Sequence, residues 1–117
     1  MALIELDPVT ITNGTSLSGP VKLGDKTPCG VIMPAAWTAA ALTFQVSFDN
    51  GATWLEYFDA KAGSAQIAVA AGQYVAVDPT MFRGVNMMKL RSGTSASPVN
   101  QGAGAAISIV NRRAFEP

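Results

Sequence analysis

The segment Ser47-Phe48-Asp49-Asn50-Gly51-Ala52-Thr53-Trp54 limits the possible folds more than any other part of this chain. Its Asp-Asn-Gly triplet stands between Leu42, Phe44 and Val46 on one side and Trp54, Tyr57 and Phe58 on the other. Asn and Gly accept the positive φ that a strand-reversing turn demands, so Asp49, Asn50 and Gly51 read as the turn of a β-hairpin. Residues 42–47 place Leu42, Phe44 and Val46 on one face and Thr43, Gln45 and Ser47 on the other, the alternation of a half-buried strand. Residues 53–58 are expected to return as its antiparallel partner.

The rest of the chain has the same rhythm of short apolar runs and turn residues. Val9 to Thr12 alternates before Asn13-Gly14; Leu17, Val21 and Leu23 surround Gly19-Pro20, which suggests an edge strand or a bulge. Residues 30–33 form a short run stopped by Pro34, and residues 35–41 make a helical turn or irregular loop carrying Trp37. Ile67 with Val69, then Val75 with Val77, mark two further strands. Asp78-Pro79 through Gly84 reads as one capped helical turn, with Asp78 as N-cap. Met88 and Leu90 alternate with Lys89 and Arg91, a long small-residue loop spans 93–104, and Ile107 to Val110 is the last strand. About eight short strands without an amphipathic helix predict an all-β fold, an antiparallel β-sandwich of jelly-roll type. With 117 residues and no composition break, residues 1–117 make a single domain, with short arms expected at about 1–8 and 111–117.

Charge narrows the partners. Eight basic residues balance eight acidic ones, so no net field draws in nucleic acid or an anionic membrane. No apolar run approaches the roughly 18 residues of a membrane span. Charged residues make up 14% of the chain, against roughly 25% in average proteins. A surface so poor in charge is weakly insulated against association, and protein partners are expected to cover part of it. The first residues lack the basic-then-apolar plan of a signal peptide, and the single Cys29 fits synthesis in a reducing cytoplasm.

Catalytic chemistry finds few footholds. The chain has no histidine, which removes Ser-His-Asp and Cys-His arrangements, His-rich zinc sites and an imidazole base. Its carboxylates sit mostly at turns, where an aspartate bonds to nearby backbone. Glu56 and Asp59 could approach one another across a strand end, as a glycosidase pair would require. No catalytic residue, metal site or cofactor is expected. Trp54, Trp37 and Tyr57 are candidate ligand-stacking residues, since an exposed aromatic face can take the apolar face of a sugar ring; the competing expectation packs Trp54 under the hairpin. Lys89, Arg91, Arg112 and Arg113 are the residues that could line a basic edge.

The eight-residue hairpin resembles the Asp-box turn of sialidase-like proteins and the Ser-x-Asp-x-Gly-x-x-Trp turn of galactose-binding-like jelly rolls. It occurs once, whereas propellers repeat it. Over most of the chain, Val31-Ile32-Met33-Pro34-Ala35-Ala36-Trp37-Thr38, Tyr74-Val75-Ala76-Val77-Asp78-Pro79 and Lys89-Leu90-Arg91-Ser92-Gly93-Thr94 are similar to small virion proteins of tailed phages and prophages. That resemblance implies a head decoration, fibre or tail accessory role, and the leading expectation is a non-enzymatic virion component, a capsid decoration or cement protein or the base of a head fibre. It would be made in the host cytoplasm, be homo-oligomeric, and meet capsid or tail proteins of the same particle. Arg112, Arg113 and Phe115 are then candidate assembly-arm residues. The alternative is a carbohydrate-binding module of a tail or fibre that attaches the particle to a host-surface glycan.

Overall fold

A computed structural model describes residues 4–59, 63–64 and 66–113. Among the described residues ten strands follow one another: β1 (Ile4–Ile11), β2 (Val21–Lys22), β3 (Lys26–Ile32), β4 (Leu42–Ser47), β5 (Leu55–Glu56), β6 (Phe58–Asp59), β7 (Gly63–Ser64), β8 (Tyr74–Ala76), β9 (Met87–Ser92) and β10 (Ala105–Arg113). They form two four-stranded sheets, β1-β10-β3-β8 and β2-β9-β4-β5, with β6-β7 apart as a small hairpin. Every pairing is antiparallel.

The order of pairing is that of a jelly roll. Setting the β6-β7 hairpin aside, first pairs with last (β1 with β10), then β2 with β9, β3 with β8 and β4 with β5. These are the nested pairs of one long hairpin folded over itself. Contacts of β10 with β3 and β9 with β4 close it into two facing sheets.

Alternation along each strand fills the space between the sheets. Val9, Ile11, Val31, Ile107 and Ile109 meet Leu42, Phe44, Val46, Met88 and Leu90, all buried. Phe44 stands edge-on to Phe82, with ring centroids 4.9 Å apart, and Tyr57 tilts against Phe82 at 5.5 Å. The aromatic trio closes the core beside the hairpin.

Three local expectations are corrected. Residues 4–8 and 111–113 are not arms: they pair in register within β1 and β10, from Ile4 opposite Arg112 to Ile11 opposite Ala105. Asn111 is fully buried, and donates a hydrogen bond to Asp7 Oδ2 at 2.5 Å. These are contacts of a strand interior, and they satisfy backbone that an arm would leave to water. Residues 1–3 and 114–117, Phe115 among them, lie outside the described residues. Residues 78–84 form successive tight turns instead of a helical turn. Asp78 Oδ1 accepts from the Thr80 amide and hydroxyl, and the Met81 amide bonds to the Asp78 carbonyl three residues back. The return limb of the hairpin is also short. Only Leu55–Glu56 pairs with β4, and Phe58 turns away to pair with Ser64.

The 93–104 segment is pinned at several points. The fully buried Gln101 accepts from the Thr38 amide and donates to the Thr38 carbonyl, while its backbone bonds to Gly14 and Thr15.

Candidate interaction surface

The hairpin turn is a closed hydrogen-bond circuit. Ser47 Oγ donates to Asp49 Oδ1 at 2.9 Å and accepts from the Gly51 amide at 2.9 Å. Asp49 Oδ1 also accepts from the Thr53 amide, and Asn86 Oδ1 accepts from the Asn50 amide. The Thr53 amide is the chief cause that holds the Asp49 carboxyl below its usual range, with the Ser47 hydroxyl adding to it. Asn50 at φ 57° and Gly51 at φ 87° make the reversal. A Cβ on Gly51 would meet only ordinary contacts, the nearest at 3.5 Å, so the cost of a side chain there is conformational. Gly51→Val is expected to lower stability by about 1–2 kcal/mol. Urea unfolding measures this, and an unchanged midpoint would contradict the turn geometry.

The three candidate stacking residues are not brought together. Trp54 is half-buried on the outer side of the β4-β9 pair, and Lys89 Nζ sits 4.4 Å from its ring centroid. This cation covers the ring a sugar would need, while half-exposure keeps Trp54 out of the core. Trp54→Ala is accordingly expected to cost about 1–2 kcal/mol, well short of a core tryptophan. Thermal unfolding read by circular dichroism distinguishes the two. Trp37 packs against the core with its indole N–H buried and without a hydrogen-bond partner among the described residues. Tyr57 donates its hydroxyl to the Met81 carbonyl and forms the wall of an open pocket of about 340 Å³. Phe48, Leu55 and Phe58, each more than half exposed, rim that pocket with Arg83.

Arg91, Lys26 and Arg113 are each committed to carboxylates. Arg91, 7% exposed, is clamped by Glu56 through two 2.7 Å bonds, and Gln45 donates to the same carboxylate at 2.8 Å. The Arg91 guanidinium holds the Glu56 carboxyl below its usual range, against the opposing pull of burial. Glu56 is thus a structural counter-ion; the side chain of Asp59 lies outside the described residues. At the far end of β1 and β10, Lys26 bridges Glu5 and Asp7, and Arg113 bridges Glu5 and Asp25. The four basic residues do not line one edge. Arg91 and Lys89 lie on the outside of one sheet, Arg112 on the outside of the other, and Arg113 joins the acidic cluster. Among the described residues, no group of three or more metal-ligating side chains stands together.

The outer faces of the two sheets differ sharply in chemistry. The face of β2-β9-β4-β5 carries Thr43, Gln45, Glu56 and Arg91, bonded among themselves, and Lys89 over the half-buried Trp54. The face of β1-β10-β3-β8 carries two rows in register that are apolar except for Ser108. Leu6, Val110, Gly30 and Ala76 form one row, and Pro8, Ser108, Ile32 and Tyr74 the next, with Ile4 beyond. Ile4, Leu6 and Tyr74 are each more than half exposed.

Glycine at position 30 is what flattens this face. A Cβ there would lie 2.4–2.7 Å from the Tyr74 hydroxyl and ring, so the tyrosine lies across the sheet where a side chain is missing. Sequence reading passed over Tyr74, Ile4 and Leu6. The available signal was a change of parity at Pro8: apolar residues fall on even positions 4 and 6, then on odd positions 9 and 11. One strand therefore presents apolar side chains to both faces.

Compared with protein-family models, curated proteins and solved structures, the chain has no significant match.

Proposed function

We propose that this chain is a non-enzymatic structural protein of a phage virion, placed on the capsid exterior as a decoration or cement protein or at the base of a head fibre. Its work is to hold position against a neighbouring subunit. The observation that carries this reading is the apolar outer face of the β1-β10-β3-β8 sheet, set against the polar, internally bonded face of the other sheet. Surface of this kind is costly to leave in water and is characteristic of interaction sites. The commitment of Glu56 to Arg91 and of Asp49 to its own turn supports a structural role over hydrolysis.

The test is retention on particles. Wild-type protein is expected to sediment with gradient-purified virions of the phage that encodes it and to survive a high-salt wash, because apolar burial is little screened. Leu6→Lys is expected to wash off. Absence of the wild-type protein from particles would refute the reading.

The pocket rimmed by Phe48, Leu55 and Phe58 favours a second reading, a carbohydrate-binding module, with aromatic walls in place of the covered Trp54. Binding of host-surface glycans that is lost in Phe58→Ser, by a chain that does not enter particles, would establish it.

A further inference from the structure

The geometry points to a second copy of this chain as the occupant of the apolar sheet face, two copies packing their β1-β10-β3-β8 sheets face to face about a two-fold axis. The inference rests on reading that face as an assembly surface and goes on to name the partner. A two-fold contact sets a patch against itself, so it must be self-complementary, and like charges in it would repel. Arg112, at one corner, is the only charged residue on this face among the described residues. A flat apolar face without a charge pattern meets its own image without conflict.

Area fits the same partner. Ile4, Leu6, Ile32 and Tyr74 are 39–56% exposed and are joined by Pro8, Val110, Ala76 and Ala106. Together they offer on the order of 500 Å², so two faces bury on the order of 1,000 Å², the lower bound of a specific interface. Stacked sheets sit at the roughly 10 Å separation that side chains of this size fill.

Edge-to-edge pairing through β1 is disfavoured. Pro8 stands in the middle of that edge strand and has no N–H to give a new neighbour. The opposite edge, β8, is only three residues long and offers little backbone to a new strand, which leaves the face as the larger surface.

Sedimentation velocity of the purified chain, from about 1 to 200 µM, tests this, since an interface of such size holds in the micromolar range. The expected result is a monomer–dimer shift that persists in high salt. Leu6→Lys and Tyr74→Lys should each weaken it by about 30-fold or more. Phe58→Ser, at the pocket, should leave it intact. Should a lysine at 74 disturb the fold around Gly30, Leu6→Lys on the edge strand carries the test alone. A strict monomer overturns the inference, as does dimerisation unaffected by Leu6→Lys or abolished by Phe58→Ser. A monomeric chain held on particles through this face would refute the second copy and leave the virion role standing. A dimer absent from particles would do the reverse.

Discussion

Gly93→Val is expected to destabilise the domain by about 3 kcal/mol or more, the largest effect expected for a single substitution at a glycine among the described residues. Two causes act together. Gly93 sits at φ 88°, where a β-branched residue is strained. A Cβ would also lie 2.5 Å from the Ser97 carbonyl oxygen and 2.7 Å from the Val99 nitrogen, both backbone atoms. The loop cannot simply swing away. The Gly93 amide bonds to the Ala41 carbonyl, the Thr43 hydroxyl donates to the Gly93 carbonyl, and the Val99 amide returns to Ser92. Urea unfolding followed by tryptophan fluorescence measures the loss. A change below about 1 kcal/mol would mean that the 93–98 turn is not closed against the sheet.

Glu56→Ala is expected to cost about 2–3 kcal/mol, because it leaves the guanidinium of Arg91 buried without its counter-ion. The side chain of Arg91 is 8% exposed and that of Glu56 32%, so water screens part of the pair and the cost falls below that of a fully buried one. Replacing both partners with leucine should recover much of the loss, since no charge is then stranded. The same pair makes a pH prediction. The folded-state pKa of Glu56 is lowered from its ordinary 4.5, so its contribution is fully present above that value and is lost as pH falls through the lower folded value. Wild-type stability should therefore drop in acid below about pH 4.5, and Glu56→Gln should flatten that part of the profile. Equal acid slopes for the two proteins would contradict the clamp.

The hairpin and the all-β sandwich were legible in the sequence because both rest on local chemistry. Asn50 and Gly51 tolerate positive φ, Leu42 to Ser47 alternates, and turn residues recur at strand-length spacing. What escaped sequence reading depends on contacts between distant residues. The Arg91–Glu56 clamp joins side chains 35 positions apart, and Asn111 reaches Asp7 across 104. Ile4 to Asp7 resembled an arm because Pro8 interrupts the alternation and Glu5 and Asp7 occupy the inward parity. Their partners, Lys26 and Asn111, come from other strands. The turn at 78–84 departs from the expected helical turn for a different reason. Asp78 and Pro79 begin a helix and a tight turn with the same bonds, and only the residues that follow decide between them.

The apolar platform was hidden in the same way. Tyr74 is an unremarkable strand residue until β8 pairs with β3 and its ring falls across Gly30. Trp54, one of the three candidates for stacking in the sequence, is capped by Lys89 from β9, a contact set by the pairing of β4 with β9.

Hydroxyl-radical footprinting of the free chain and of the chain in purified particles tests the assembly role most directly. Tyr74 and Leu6 should be labelled in the free protein at low concentration and protected in the particle, while Phe58 at the pocket rim keeps its labelling. Equal labelling of Tyr74 and Leu6 in both states, or protection confined to Phe58 and its neighbours, would contradict the assignment of the β1-β10-β3-β8 face as the surface that holds this protein in place.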